Sequence, residues 1–515
     1  MSDKWDELNQ ETIGYFQEGQ YEQALEAAER ATQFMRDAGD ERHLAVALNN
    51  MGELYQALGD YEHAEGAMLE AIDVYDRVFG LDHPETAVTL YSLGMTYIDL
   101  QRYDEAEALF HRELALREKD SSHVESDLIP ALLGLSECAQ ASGRYDEART
   151  LLERVVSIVD ETSEDLNPDL GPILIRLAGM HQKENQMEEA GKVLRRALKI
   201  YEETIGAGHP AFADALARLA ENYMISGIYQ AAEPLMDQAI SIMQQSLPEN
   251  DPEIPRKMEK LAEIYQATGQ NEKAEEKMKE TIDLYHKALG EEDASAAQVQ
   301  NNLGEYYLAY GRADEAKELF EAALKGREAA LGPDHPAVAQ SLNNLGVIFG
   351  NEALYTEAQR LHERALKIRR ECFGQRHLVV TQSLDNLAAI YQQVGKAQEG
   401  EDLLRESVSI WEENMGKEHP STAQAYFNLG TLLFTGEKYK ESEEILQKCR
   451  EIMVEYFGKE DPNLLMVYKA LSIVNEKLEN DAEADKYAVK YVRIQKQLQE
   501  QQQQQQGMMN GDPNS

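Results

Sequence analysis

Five histidines are the first residues whose type invites chemistry, because neutral imidazole ligates metals and moves protons near neutral pH. His83, His209, His335, His377 and His419 are separated by 42 residues or by multiples of 42. In a chain that repeats at that step they stand one per repeat, too far apart to share an ion, and each reads as a cap on the helix before it. Amide side chains recur at the same step: Gln298 with Asn302, Gln340 with Asn344, Gln382 with Asn386, and Gln424 with Asn428. An amide both donates and accepts, which is what the main chain of an extended peptide requires. The Gly-x-x-x-x-Gly-Lys-Ser/Thr, His-Glu-x-x-His and Gly-x-Ser-x-Gly motifs of phosphate-binding, metalloprotease and hydrolase sites are absent from the sequence. Glu291-Glu292-Asp293 lacks the alternating ligands of a calcium loop and reads as a solvated turn. The expectation is a non-enzyme without cofactor or metal.

A repeat positions these residues. From Gly52, steps of 42 land on Gly94, Ser136, Ala178, Ala220, Ala262, Gly304, Gly346, Ala388, Gly430 and Ser472. From Ala64 the same step lands on Ala106, Ala148, Ala190, Ala232, Ala274, Ala316, Ala358, Gly400, Ser442 and Ala484. Two small positions twelve apart, each bracketed by large apolar residues, mark where two helices of one unit approach closely. Around Gly346, one apolar stripe is Leu342, Leu345 and Phe349, and a second is Ala358, Leu361, Ala365 and Ile368, with a break at Glu352-Ala353-Leu354 between them. Joints such as Leu331-Gly332-Pro333-Asp334-His335-Pro336 end one helix with glycine and open the next with proline.

Met51-Gly52-Glu53-Leu54-Tyr55 with Ala64, Met68 and Ala71, and Leu303-Gly304-Glu305-Tyr306-Tyr307 with Ala316, Phe320 and Ala323, resemble the tetratricopeptide repeat signature. The ordinary period is about 34, so the extra residues lengthen each helix by about one turn. The Leu-Gly-x-x-His-Pro joint and the Leu-Asn-Asn-Leu-Gly helix look like the kinesin light chain and nephrocystin-3 subfamily. A shorter-spaced first unit at Gly19, Tyr21 and Ala24 precedes the series. The resemblance implies an all-α fold, a right-handed superhelical α-solenoid of about twelve helix-turn-helix repeats over residues 1–490, with repeat 1 at about 5–40. Residues 491–515 are expected to hold the end of the last helix, the run Gln501 to Gln506, and a disordered tail from Gly507. The motor-binding heptad coiled coil of light chains is not expected ahead of the repeats.

In the family resembled, residues two and six before the small position point into the concave groove. That places Gln298, Asn302, Gln340, Asn344, Gln382, Asn386, Gln424 and Asn428 there as a ladder for peptide main chain. The alternative is that each Asn bonds to the neighbouring repeat. Arg176, Arg218, Arg256 and Lys260 put cations on the same face, able to hold a carboxylate or acidic segment. Arg256 and Lys260, followed by Asn302, resemble one end of the carboxylate clamp of chaperone-binding tetratricopeptide domains, although Ala217 and Glu221 depart from its other end. The cations could instead pair with Asp214, Glu221, Glu259 and Glu263. The function expected is a non-catalytic scaffold binding extended segments of partner proteins. The alternative is a sensor or cargo-adaptor-like protein whose curvature responds to a peptide or small ligand.

Composition bounds the partners. With 94 acids against 50 bases and a net charge of −44, nucleic-acid backbones and anionic membranes are repelled. Cys138, Cys372 and Cys449 lie in separate repeats and read as buried small hydrophobes in a reducing compartment. Met1 to Glu7 lack the features of a signal peptide, and no long apolar run exists, so a cytoplasmic location without membrane insertion is expected. Eight of the 14 prolines fall in repeats four to seven, where the small position is Ser or Ala, and Pro172, Pro234 and Pro255 stand beyond the expected first helical residue. Residues 126–260 are therefore expected to be a softer middle. At the far end Tyr487, Tyr491 and Val492 beside Lys486, Lys490 and Arg493 look only partly capped, which leaves the oligomeric state open.

Overall fold

The computed structural model describes residues 2–81, 83–119, 124–162 and 166–509. These form helices that pair in chain order into twelve hairpins. Hairpins 1 to 4 are Ser2–Gln17 with Tyr21–Ala38, Glu41–Ala57 with Tyr61–Phe79, Thr86–Asp99 with Tyr103–Lys119, and Ile129–Ala141 with Tyr145–Thr162. Hairpins 5 to 8 are Leu170–Lys183 with Met187–Thr204, Pro210–Ile225 with Tyr229–Ser246, Glu253–Ala267 with Asn271–Leu289, and Ala294–Ala309 with Ala313–Leu331. Hairpins 9 to 12 are Pro336–Asn351 with Tyr355–Phe373, Leu378–Gln393 with Ala397–Met415, Pro420–Thr435 with Tyr439–Phe457, and Leu465–Lys477 with Asp481–Met509. The last helix runs through Gln501 to Gln506 as far as Met509, and the remainder of the expected tail, 510–515, lies outside the described residues.

The small residues do what their spacing implies. A Cβ added at Gly94 or Gly134 would come within 2.6 Å of the Phe110 ring, which fills the space between the first helices of hairpins 3 and 4. At Gly52, Gly304 and Gly346 an added Cβ would meet Met68, Phe320 and His362 at 2.6 Å. Dense packing of this kind punishes one extra carbon. Inside hairpins the turn carries a left-handed residue, glycine at Gly59, Gly143 and Gly311 but Gln101 (φ 59°), Ala353 and Glu437 (φ 60°) elsewhere.

The joint histidines require a correction. Each caps the helix that follows it, not the one before: Nδ1 of His209, His335, His377 and His419 accepts from the backbone N–H two residues on, at 3.1–3.2 Å. His83 accepts from Glu85 in the same way at 3.2 Å. Their extended backbone points the ring into the next helix start, where free N–H groups lack acceptors. Asp251, Asp293 and Asp461 serve identically on the same grid. Cys138 and Cys449 are buried as expected, and burial pushes their thiols up to about 11 and about 12. Cys372 is exposed, contrary to expectation, because it lies in the last turn of its helix, where its thiol reaches only the Asp334 carbonyl at 3.5 Å. Pro172 and Pro255 stand third in their helices, within the first turn, where no helical hydrogen bond is lost. Pro234 alone of the three sits in a helix interior.

Second helices of successive hairpins are linked by a row of ion pairs whose partners lie 36 residues apart: Arg112–Asp76, Arg154–Glu118, Arg196–Asp160 and Arg364–Glu328. Individually such pairs add little at the surface. The chain divides into two compact units, residues 1–249 with 260–274, and residues 250–259 with 275–515. The division thus runs through hairpin 7. In the first unit the first helices of hairpins 1 and 2, 2 and 3, 3 and 4, and 5 and 6 touch one another. In the second unit those of hairpins 9 and 10 and of 11 and 12 do the same, over a core that includes Tyr426, Leu433, Tyr468, Leu471 and Tyr487. No described helix is long and apolar enough to cross a membrane.

Candidate functional site

The four amide pairs occupy the first helices of hairpins 8 to 11, all in the second unit, and the fold uses them unequally. In hairpin 8 the buried Arg327 donates from Nη2 to Gln298 Oε1 at 2.7 Å, and Gln298 Nε2 donates to Asn302 at 2.8 Å. Arg327 Nη1 also reaches Ser341 Oγ and the Ala337 carbonyl, both at 2.8 Å. Burial without a carboxylate partner in bonding range pushes this guanidinium down to about 10. In hairpin 9, Glu305 Oε1 accepts from Gln340 at 3.0 Å and from Asn344 at 2.9 Å, and Asn344 also donates to Asn301 at 3.1 Å. In hairpin 11, Gln424 donates to Asn428, which donates to Asp385 Oδ2, both at 3.1 Å.

Hairpin 10 differs. Among the described residues Gln382 and Asn386 make no hydrogen bond to the protein, and Gln382 is exposed. Asn386 lies between two pockets of about 440 Å³ each. One is shared with hairpin 9 and walled by Val347, Asn351, Tyr355 and His362. The other is shared with hairpin 11 and walled by Asp385, Asn428, Thr431 and Thr435. Burial raises the Asp385 carboxyl above its ordinary value, with the bond from Asn428 opposing that rise. His362 is buried against Gly346, bonds to Asn343 Oδ1 at 2.9 Å, and is pushed down to about 4 by burial. Beyond hairpin 11 the row turns apolar: a pocket of about 210 Å³ is lined by Phe427, Phe434, Met466 and Ile473, a feature sequence reading did not single out. The signal was present, since Met466 and Ala470 occupy the positions where earlier repeats carry Gln and Asn.

The cations of hairpins 5 to 7 are engaged separately. Arg176 donates to Ser136 Oγ at 2.9 Å and Arg218 to Asp214 at 2.7 Å. Arg256 pairs with Glu253, and Lys260 with Glu263 at 2.8 Å. The pocket beside Lys260 is lined by two carboxylates, Glu221 and Glu263, which oppose an acidic guest.

A family model described as the tetratricopeptide repeat matches residues 13–76, 43–119, 169–245, 253–329, 311–371 and 379–453, and a second of the same description matches 91–161. No curated protein matches the sequence. Among solved structures, the chain is similar to BtubC (BKLC) from P. vanneervenii, at 26% identity and TM-score 0.39 over 44% of this chain and 90% of that one. It is also similar to a Podosopora anserina putative kinesin light chain with nearly identical TPR-like repeats, at 28% identity and TM-score 0.36 over 40% of this chain and 98% of that one.

Proposed function

The chain belongs to the tetratricopeptide repeat family, a fold that serves as an interaction scaffold, and from that premise we propose that it holds an extended segment of a partner protein against the first helices of hairpins 9 to 11. The observation that carries this is the open pair in hairpin 10. Gln382 and Asn386 have unspent donors and acceptors, and Asn386 stands between two pockets. A half-buried amide with nothing to bond is worth more to a guest than an exposed one already hydrated. Main-chain N–H and C=O groups of an extended peptide satisfy it without demanding a particular sequence. The walls fit such a guest, since Asn351, Gln393, Asn428 and Thr431 are neutral in a chain of net charge −44, and burial holds the single carboxyl of the second pocket, Asp385, above its ordinary value. The apolar pocket at Phe427 and Met466 gives one bulky side chain a seat at the end of the row. No chemistry of the scaffold's own is part of this reading.

The test is selection of random dodecapeptides displayed on phage against the full chain. Peptides recovered should cross-link to a photoreactive residue placed at Ala389, which lines both pockets. They should lose about 1–3 kcal/mol of affinity when Gln382→Ala and Asn386→Ala are combined. Peptides that bind the double variant as tightly as the unaltered chain would place the guest elsewhere.

A further inference from the structure

The position that carries the ion-pair cation in hairpins 3, 4, 5 and 9 is Gln238, Glu280, Ala322 and Glu406 in hairpins 6, 7, 8 and 10. In hairpin 12 it again carries a cation but has lost the acid 36 residues earlier. Arg112, Arg154, Arg196, Arg364 and Lys448 each have an acid 36 residues earlier: Asp76, Glu118, Asp160, Glu328 and Glu412. Lys490 occupies the same position, and 36 residues before it stands Val454. The consequence is visible around its side chain. The Lys490 ammonium lies 5.0 Å from the Tyr468 ring centre and 5.8 Å from that of Tyr487, and among the described residues no carboxylate pairs with it. The two rings are stacked, 6.0 Å apart at 18°. Lys486 lies 5.4 Å from the Tyr487 ring centre, and Arg450 is tied to the same ring through Gln447, which accepts from Arg450 Nε at 2.8 Å and donates to Tyr487 Oη at 2.7 Å.

The acids nearby are spoken for. Glu483 pairs with Lys486 at 2.7 Å, Glu451 with Arg450 at 3.3 Å, and Glu460 with Arg493 at 2.7 Å. Among the described residues, neither Lys490 nor Lys459 pairs with a carboxylate. Burial, with repulsion from Arg450, Lys486 and Lys459, holds the Lys490 ammonium below its ordinary range despite the opposing pull of Glu483, which is itself paired with Lys486. Aromatic faces supply only part of what a carboxylate would.

We propose that Lys490, Lys459, Lys486 and Arg450 form a binding site for a phosphate dianion, taken either as free phosphate or from a phosphorylated segment of a partner. Two cations without counter-charge match the roughly −1.5 to −2 charge of a phosphate group, and its three acceptor oxygens suit ammonium and guanidinium donors arriving from two helices and a joint. A single carboxylate would balance only one of them. The cations lie on the second helices of hairpins 11 and 12 and the joint between them, away from the hairpin 10 amides, so the site does not depend on the reading above.

The experiment is calorimetric titration of the full chain with inorganic phosphate, with a short phosphoserine peptide, and with that peptide carrying Ser or Glu instead. Saturable binding of a phosphate-bearing probe is expected, weakened about tenfold or more by Lys490→Gln and left unchanged by Lys367→Gln, an exposed cation of hairpin 9. Val454→Glu restores the acid found elsewhere on the row, and should abolish binding while the chain stays folded. Tighter binding of the phosphoserine peptide than of phosphate assigns the site to a modified segment, and equal binding assigns it to the free ion. Absence of saturable binding, equal affinity in Lys490→Gln, or a Glu peptide as tight as the phosphoserine one would overturn the proposal.

Discussion

Hairpins 8 and 10 carry the same Gln–Asn pair on the same helix face, and the protein spends one pair and leaves the other open. In hairpin 8, Gln298 is held by Arg327 from its own second helix. The corresponding residue of hairpin 10 is Trp411, which cannot donate in that way. In hairpin 9, Gln340 and Asn344 converge on Glu305 of the preceding repeat. The residue that would do this for hairpin 10 is Val347. The remaining acceptor, the Asn343 counterpart of Asn301, is already occupied by His362 and bonds to Ser383 at 2.8 Å. Whether an amide on a repeat array is a binding group or a stitch is therefore decided by neighbours on its own second helix and on the preceding repeat.

Breaking the spent side of the comparison should have the largest effect. Arg327→Ala leaves Gln298 and Ser341 without their donor and opens a cavity between hairpins 8 and 9, so we expect a loss of about 2–4 kcal/mol in urea unfolding. Peptide binding at hairpin 10 should be unaffected apart from that.

Next comes His362, whose bond keeps Asn343 from Asn386. The folded value near 4 lies below the unfolded value near 6.5, so between those limits the unfolded chain binds a proton that the native one does not, and stability falls as pH drops from 6.5 to 4. That component is about 3 kcal/mol over the full interval. His362→Phe, which copies Phe320 of hairpin 8, should remove it, and unfolding curves at pH 7 and pH 4.5 compare the two chains directly. The variant also frees Asn343 Oδ1, which should draw in Asn386 and weaken the selected peptides by a smaller amount, about 1 kcal/mol.

The repeat, its hairpins and its joints were legible because close packing admits only small residues at fixed steps, and Gly94, Gly304 and Gly346 mark those contacts. The candidate site was half legible. Residue type and register located the Gln/Asn positions, but not which of them were spent, since that depends on Glu305 against Val347 and Arg327 against Trp411, two positions whose residue type the repeat signature does not fix. The histidine caps were misassigned because a ring at a joint can serve either helix, and only the extended backbone of His335 and its neighbours shows which. Cys372 was read as buried from its residue type, whereas the last turn of a second helix faces solvent.

The central claim, that hairpin 10 is open because its capturing neighbour is missing, is tested most directly by Val347→Glu. This restores at hairpin 9 the carboxylate that Glu305 supplies at hairpin 8, on a half-buried but pocket-lining position. The dissociation constant of the selected dodecapeptides is measured beside the urea midpoint. The account predicts affinity reduced about tenfold or more, with the midpoint unchanged or raised, as Gln382 and Asn386 turn to the new acceptor. Unchanged affinity in a fully folded Val347→Glu chain would contradict it.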